Sequence, residues 1–287
     1  MSINLNDIET NVPKAPRIVI YGPEGIGKTT IASKAEKAIF VLCGTEDGLG
    51  DIDVKHFPLC KTFDDVIDCC AALGENDHEY KTLVVDTLDS LEPLVWAETC
   101  RRYGVDSIER VLKGWGKGYG EALDDWRLLL ACFTALRDEK GMTIILLAHS
   151  ITVPVKDPEH PEYDCNTLNL QKKAAQLIID YADIVGYASM KVFTKTEGEK
   201  DAKRTRVIPT HQRILRLTLS PAFKAKNRYH LKDEIPLEWA ALEEGLPKGA
   251  KPKPARKPRQ VKGQTRATSN VSSEEQSAQT TGPQEGK

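Results

Sequence analysis

Short apolar runs alternate with longer amphipathic stretches along the first 150 residues of the chain. Four of the runs are continuous and contain β-branched residues, which is typical of strands that are buried on both faces of a sheet. They are RIVIY (17–21), AIFVLC (38–43), KTLVVD (81–86) and TIILLAH (143–149). Because helical patterns separate them, the alternation predicts an α/β fold with a mostly parallel sheet and helices on both of its faces.

The intervening segments place apolar residues at helical spacing. We predict helices from about residue 27 to 37, over 62–73 with Thr62 as the N-cap, over 90–104 and over 121–141.

The pattern changes after residue 150, because polar stretches and turns interrupt it. The polar, proline-containing stretch 151–170 predicts a loop. The remaining predicted elements are a helix over 171–183, strands over 184–193, 203–210 and 213–220, and a short helix over 236–245. Strands that are joined by turns indicate antiparallel strands in the C-terminal part of the sheet.

The chain divides into a loose N-terminal lead-in (1–15), one domain (16–245) and a tail (246–287). The tail is predicted to be disordered, because Lys, Pro, Gln, Ser and Thr dominate it and nothing in it could bury a core. The net charge of the 287 residues is −2, yet residues 246–270 carry eight Lys or Arg and no acid. This basic stretch predicts either an arm that contacts nucleic acid nonspecifically or a solubilising tail.

The cysteine pattern and the N-terminus bear on the cellular compartment. Seven cysteines, an odd number without any C-x-x-C pair, fit neither a disulfide framework nor a zinc site. The N-terminus has no signal-peptide pattern, and no apolar run is long enough to span a bilayer. We therefore expect a cytoplasmic protein with reduced thiols and no membrane partner.

One contiguous motif carries clear chemistry. GPEGIGKT (22–29) is a full match to G-x-x-x-x-G-K-[ST], and it lies between a predicted strand and a predicted helix. Loop N–H groups and the helix N-terminus should face the phosphates of ATP. Lys28 should bridge the β- and γ-phosphates, and Thr29 should bind Mg²⁺. The predicted nucleotide-binding residues are Gly22, Pro23, Glu24, Gly25, Ile26, Gly27, Lys28, Thr29 and Thr30.

A second Mg²⁺ ligand is predicted at Asp86, which ends the third apolar run. The alternative role for Asp86 is to cap the following helix. ATP hydrolysis also needs a group that orients water. Thr87, the next residue, cannot serve as a carboxylate, and Asp89 lies further along the chain.

The set GPEGIGKTT, VLCGTEDGL, TLVVDTLDS and TIILLAHS resembles the RecA-like P-loop ATPases. More narrowly it resembles the AAA-domain ATP-binding proteins of phages, some of which act in single-strand annealing or recombination. The resemblance covers about residues 17–245 and implies a RecA-like sheet in which the fourth strand lies between the P-loop strand and the Asp86 strand. It also implies that Glu46 activates water, with Asp47 as the fallback, and that His149 senses the γ-phosphate. His149 departs from the Asn-Gln usual in RecA proteins, and a strand-capping role is the alternative.

Two further segments resemble functional parts of RecA. FKAKNRYHL (223–231) is similar to a segment whose lysines reach the ATP of the neighbouring subunit, which implies a homo-oligomer with such contacts; the alternative is a solvated basic turn. VLKGWGKGYGEAL (111–123) mixes glycines, cations and aromatics at the position of a DNA loop, and can clamp phosphates and stack bases. The alternative is an ordinary loop with Trp115 in the core. The implied in-trans residues are Lys224, Lys226 and Arg228, and the implied contacts to single-stranded DNA are Lys113, Trp115, Lys117 and Tyr119.

The leading hypothesis is a Mg²⁺-dependent, DNA-stimulated ATPase of recombination, single-strand annealing or replication, with proteins of those processes as further partners. If the gene is a phage gene, the compartment is the host cytoplasm. Two alternatives remain: a P-loop kinase acting on a small molecule, and a non-catalytic protein that binds a partner in response to nucleotide. Stimulation of ATP hydrolysis by single-stranded DNA would favour the first hypothesis, and phosphate transfer to a small molecule the second. Absence of ATP turnover with an intact Lys28 would favour the third.

Overall fold

The computed structural model describes residue 8, residue 10 and residues 12–44, 49–159, 161–197 and 204–247, without the side chains of 194–197 and 204–209. The tail that the sequence predicts to be disordered begins at residue 246, and its residues beyond 247 lie outside the described part of the chain. The strands are β1 (Arg17–Gly22), β2 (Ala38–Leu42), β3 (Lys55–His56), β4 (Thr82–Asp86), β5 (Thr143–Val155), β6 (Tyr163–Leu168), β7 (Ile184–Glu197), β8 (Arg204–Arg216), β9 (Lys226–Asn227) and β10 (Glu234–Pro236). The helices are α1 (Lys28–Ala32), α2 (Phe63–Glu75), α3 (Leu88–Tyr103), α4 (Lys117–Glu139), α5 (Lys172–Tyr181) and α6 (Trp239–Glu243).

In the described part of the chain these strands form a sheet in the order β10-β8-β7-β1-β5-β4-β2-β3, with β6 on β5 and β9 on β7. Neighbouring strands in the run β7-β1-β5-β4-β2-β3 are parallel. Strand β8 pairs with β7, and β10 with β8, in antiparallel fashion. The predicted α/β class with antiparallel C-terminal strands is confirmed. Strand β5 lies between β1 and β4, the order that the resemblance implied.

The sheet is buried on both faces, because alternate side chains of a strand point to opposite sides. On β1, Val19 and Tyr21 join a core under α2, α3, α4 and α5. Ile18 and Ile20 join a second core that includes residues of α1 and α6. No helix in the described ranges is long and apolar enough to cross a membrane.

Two predicted elements have different bounds. The helix predicted over 27–37 is shorter in the structure, where it consists of the five residues of α1. Residues 33–37 form turns and a bend instead, and Lys37 has a φ of 44°. Helix α4 begins at Lys117, so it takes in part of the glycine-rich segment. The N-cap prediction is confirmed: the Thr62 side chain accepts a hydrogen bond from the Asp65 N–H, and the carboxylate of Asp65 accepts one from the Thr62 N–H.

The second half contains more strand than the sequence pattern predicts. The loop predicted over 151–170 is wrong, because β5 continues to Val155 and forms an antiparallel hairpin with β6. The alternation of Ile151, Val153 and Val155 with polar residues is the signal, and Pro154 masks it. The strands predicted over 203–210 and 213–220 are one strand, β8, which follows β7 along its length with one irregularity near Met190.

A buried ion cluster ties the start of the sheet to the C-terminal part of the domain. The carboxylate of Asp183 accepts hydrogen bonds from Arg17 through its backbone N, Nε and Nη2, and from Arg228 through Nη1. Nη2 of Arg137 lies 3.6 Å from Oδ2. Burial acts to raise the pKa of Asp183, but the hydrogen bonds and charge of Arg17, with Arg137, outweigh it and lower that pKa.

Replacing Asp183 with Asn should therefore reduce the free energy of unfolding by about 3 kcal/mol, because it leaves clustered guanidinium groups without their buried counter-charge. Since the folded pKa lies below the unfolded value of about 3.9, this stabilisation is complete above about pH 5 and is lost as the pH falls through the folded pKa. Urea denaturation at neutral pH measures the loss. Asp124→Asn is the control, because Asp124 pairs with Arg127 in solvent. An equal effect of both substitutions would contradict the stabilising role of the cluster.

Candidate ATP site

The polar residues of the site lie at the carboxyl ends of neighbouring parallel strands. Gly22 at the end of β1 is in register with His149 on β5, and Leu42 at the end of β2 is in register with Asp86 on β4. Carboxyl ends of parallel strands share one edge of the sheet, where ligands bind in open α/β folds.

The P-loop follows β1 and turns closely against its neighbours. A Cβ on Gly22 would lie 2.4 Å from the carbonyl oxygen of Ala188 on β7, so only glycine allows this approach. Gly27 has a φ of 107°, which disfavours other residues. Ile26 is buried in the core that contains α1, and this contact anchors the loop. Pro23, Glu24, Gly25 and Thr30 are exposed around it.

Lys28 lies folded back over the loop. Its Nζ donates hydrogen bonds to the carbonyl oxygens of Gly22 at 3.2 Å and Pro23 at 3.1 Å, and its side chain is buried. The ammonium is thus already held at the loop. Because α1 has only five residues, its macrodipole is small, and the N–H groups of the loop and Lys28 are the main positive elements.

Thr29 and Asp86 are brought into direct contact. The hydroxyl of Thr29 donates a hydrogen bond of 2.8 Å to Oδ2 of Asp86, which is buried at the end of β4. The helix-capping alternative for Asp86 is not observed, since the N-cap of α3 is Thr87, whose side chain accepts from the Ser90 N–H. A hydroxyl beside a carboxylate is a donor set that suits Mg²⁺.

His149 is paired with Asp89, a contact that sequence reasoning did not predict. Asp89 accepts the backbone N–H of His149 at 2.8 Å through Oδ1, and its Oδ2 lies 2.6 Å from Nδ1 of the ring. Nε2 of His149 has no partner within the described residues. In the neutral tautomer with a proton on Nδ1, Nε2 is a hydrogen-bond acceptor at the sheet edge that carries the P-loop.

Glu92, one helical turn after Asp89, is a buried acid that the sequence analysis missed. Both of its carboxylate oxygens lie within hydrogen-bond distance of the Gln171 N–H, at 3.1 and 3.0 Å. Burial raises the pKa of Glu92 to about 7; the Gln171 hydrogen bond lowers it, and the charge of Asp89 raises it further. The only signal in the sequence is the spacing of two acids by three residues at the start of a helix.

Other predicted site residues lie elsewhere. Glu46 and Asp47 lie outside the described residues. Lys226 donates to the carbonyl oxygens of Ile179 and Asp180 at the end of α5, and Arg228 pairs with Asp183, so both have partners inside the chain.

The remaining in-trans candidate is differently placed. The backbone oxygen of Lys224 accepts a hydrogen bond from the Tyr21 hydroxyl, next to the start of the P-loop. The in-trans roles of Lys224, Lys226 and Arg228 stay predictions.

The predicted DNA-binding segment has two parts. Trp115 is 95% exposed, and Lys113 and Lys117 are exposed beside it. The alternative in which Trp115 is in the core is therefore wrong. Tyr119 instead is half-buried in the first turn of α4, where its hydroxyl donates to Glu109 and its ring packs edge-on against Trp96. The structure thus assigns Tyr119 an internal packing contact.

Replacing Glu92 with Gln should make stability less dependent on pH. The unfolded pKa is about 4.3 and the folded pKa about 7, so the wild type loses stability as the pH rises through this window, by on the order of 3 kcal/mol. Urea denaturation at pH 5 and pH 8 should show this loss for the wild type and for the exposed-site control Glu139→Gln, but not for Glu92→Gln. Identical pH dependence of all three proteins would show that Glu92 does not titrate in this range.

Comparison with known proteins agrees with this geometry. The family model described as an AAA domain matches residues 14–229. No curated protein matches the chain. Because the family model covers most of the chain, and the P-loop with its paired Thr29 and Asp86 lies inside the matched range, this protein belongs to the AAA-domain family of P-loop ATPases.

Proposed function

We propose that the protein is a Mg²⁺-dependent ATPase whose turnover is stimulated by single-stranded DNA. The observation that carries the ATPase part is the 2.8 Å hydrogen bond between Thr29 and Asp86, next to a P-loop that holds Lys28. It unites two residues that are 57 positions apart into one oxygen-rich site. Support for the DNA part comes from two exposed cations and an exposed aromatic residue within one short segment.

The chain's own groups account for phosphate binding. Nζ of Lys28 exchanges two neutral carbonyl acceptors for phosphate oxygens, whose negative charge attracts the ammonium in addition to accepting its hydrogen bonds. Thr29 and Asp86 would hold Mg²⁺, which when bound offsets negative charge on the phosphates. The loop glycines keep the backbone close enough for its N–H groups to reach the phosphates.

Two groups are proposed to act on the attacking water. His149 presents Nε2 as an acceptor, with Asp89 fixing the ring and favouring the Nδ1–H tautomer. Glu46, through the resemblance to RecA-like ATPases, is the carboxylate proposed to take the proton of the water. ATP and water then give ADP and phosphate.

The DNA hypothesis rests on residues 113–117, which we name the tryptophan segment. Lys113, Trp115 and Lys117 are exposed together, and base stacking on an aromatic ring combined with phosphate contacts suits single strands of any sequence. The segment leads into α4, and α4 leads into β5.

The direct test measures ATP hydrolysis with and without single-stranded DNA, for the full chain in Mg²⁺ buffer. We expect turnover that single strands raise, and that Lys28→Ala reduces by at least about 100-fold, because charge stabilisation at the phosphates is lost. Duplex DNA is the matched control ligand. A size measurement of the same samples with and without ATP tests the proposed homo-oligomer.

Other results of this assay would overturn the proposal. Phosphate transfer to a small molecule without hydrolysis would indicate a kinase. ATP binding without turnover would indicate a nucleotide-dependent binding protein. Normal hydrolysis by the Lys28→Ala variant would remove the P-loop from the mechanism.

Replacing Trp115 with Ala tests the tryptophan segment. Stacking on one aromatic ring contributes about 1–3 kcal/mol, so the affinity for a labelled oligothymidine should fall about 5- to 150-fold. Leu219→Ala is the control, because Leu219 is also a large exposed apolar residue, on a different part of the surface. If both variants bind the oligonucleotide as tightly as the wild type, the segment is not the contact.

A further inference from the structure

An arginine from the antiparallel part of the sheet lies over the P-loop. A Cβ built on Gly27 would lie 2.9 Å from Nη1 of Arg213 on β8. The guanidinium of Arg213 has no hydrogen-bond or ion-pair partner within the part of the chain that the structure describes, and the residue is exposed. A cation without a counter-charge thus stands beside the loop that binds phosphate.

The backbone of Arg213 is held firmly although its side chain is exposed. On one side it is in register with Met190 of β7, and on the other its carbonyl oxygen accepts a 3.0 Å hydrogen bond from the Leu237 N–H. Leu237 also approaches Gly27, with Cδ2 3.9 Å from the same built Cβ. The backbone position from which the Arg213 side chain starts is therefore determined by the sheet.

Arg213 reaches the loop from the opposite side to the other polar groups. Strand β1 has β5 on one side, with β4 beyond it, and β7 on the other, with β8 beyond it. Asp86 and His149 belong to the first side, and Arg213 to the second. If the terminal phosphate and Mg²⁺ lie toward Asp86 as proposed, we infer from the strand order that the α-phosphate lies on the side of β7 and β8.

We propose that Arg213 binds the α-phosphate of a nucleoside di- or triphosphate in the P-loop, an inference that rests on the proposed ATPase function. The planar guanidinium matches phosphate oxygens through two parallel N–H donors. Gly27 leaves room for this approach, since a larger residue would lie against Nη1.

The α-phosphate is common to ATP and ADP and does not react. Arg213 accordingly stabilises both ground states and the transition state about equally. Such uniform binding lowers KM and leaves kcat nearly unchanged. This distinguishes Arg213 from Lys28, Glu46 and His149, whose proposed contacts involve the γ-phosphate or the attacking water.

The test uses the full chain with Arg213→Gln and Arg213→Lys, and Arg127→Gln as the control, because Arg127 is an exposed arginine on α4 that pairs with Asp124. Binding of fluorescently labelled ADP and of unlabelled ATP by competition gives the affinities, and steady-state ATPase assays give KM and kcat. For Arg213→Gln we expect about 10- to 100-fold weaker binding of both nucleotides, with KM raised and kcat within about twofold. Arg213→Lys should lie between this variant and the wild type, and Arg127→Gln should match the wild type.

Several results would overturn the inference. Unchanged ADP affinity in Arg213→Gln, or a loss confined to ATP, would remove the α-phosphate contact. A fall in kcat at constant KM would assign Arg213 to the reaction instead of to binding. Failure of the wild type to bind either nucleotide would instead refute the proposed ATPase function. If the wild type binds nucleotide and Arg213→Gln binds it equally well, only the role of Arg213 is refuted.

Discussion

The parallel pairing of β1 with β5 holds the candidate ATP site together. It places Gly22 in register with His149, so the start of the P-loop lies beside the point where β5 stops pairing with β1. The register is fixed by burial, because Val19 and Tyr21 fill one core while Ile18 and Ile20 fill the other. A slip of the register by one residue would turn each of these side chains to the opposite face of the sheet, and it would also move His149 out of register with Gly22. The chemistry of the site therefore depends on an arrangement that packing determines.

The loop itself is held by contacts rather than by a long helix. Helix α1 has little more than one turn, so it supplies only a small dipole and few intrahelical bonds. Three contacts take its place: Ile26 in the core, Gly22 against Ala188, and Lys28 across the loop carbonyls. The neighbouring strand β7 thus shapes the phosphate site, although it contributes no carboxylate or imidazole to it.

The sequence predicted the parts of the site that are contiguous or that end a strong apolar run. GPEGIGKT contains its own chemistry, and Asp86 ends a buried strand, so motif and position were enough to predict Thr29 and Asp86 as Mg²⁺ ligands, but not the direct hydrogen bond between them. The pair of Asp89 and His149 joins residues 60 positions apart, and its formation depends on the strand order. Arg213 lies in a stretch whose apolar pattern also fits two short strands, and only the full pairing of β7 with β8 shows that it reaches Gly27. The helix and strand propensities of short segments do not predict contacts between residues that are far apart in the chain.

Helix α3 connects the tryptophan segment with the nucleotide edge. Trp96 on this helix packs against Tyr119, which lies in the first turn of α4, two residues after the segment. The first turns of the same helix carry Asp89, which holds His149, and Glu92, which accepts the N–H of Gln171 at the start of α5. A ligand that displaces Tyr119 would therefore act on a helix that also holds the imidazole of His149 on β5. If the tryptophan segment binds DNA as proposed, α3 is the element through which that binding would reach the proposed ATP site, because its side chains contact both Tyr119 and His149.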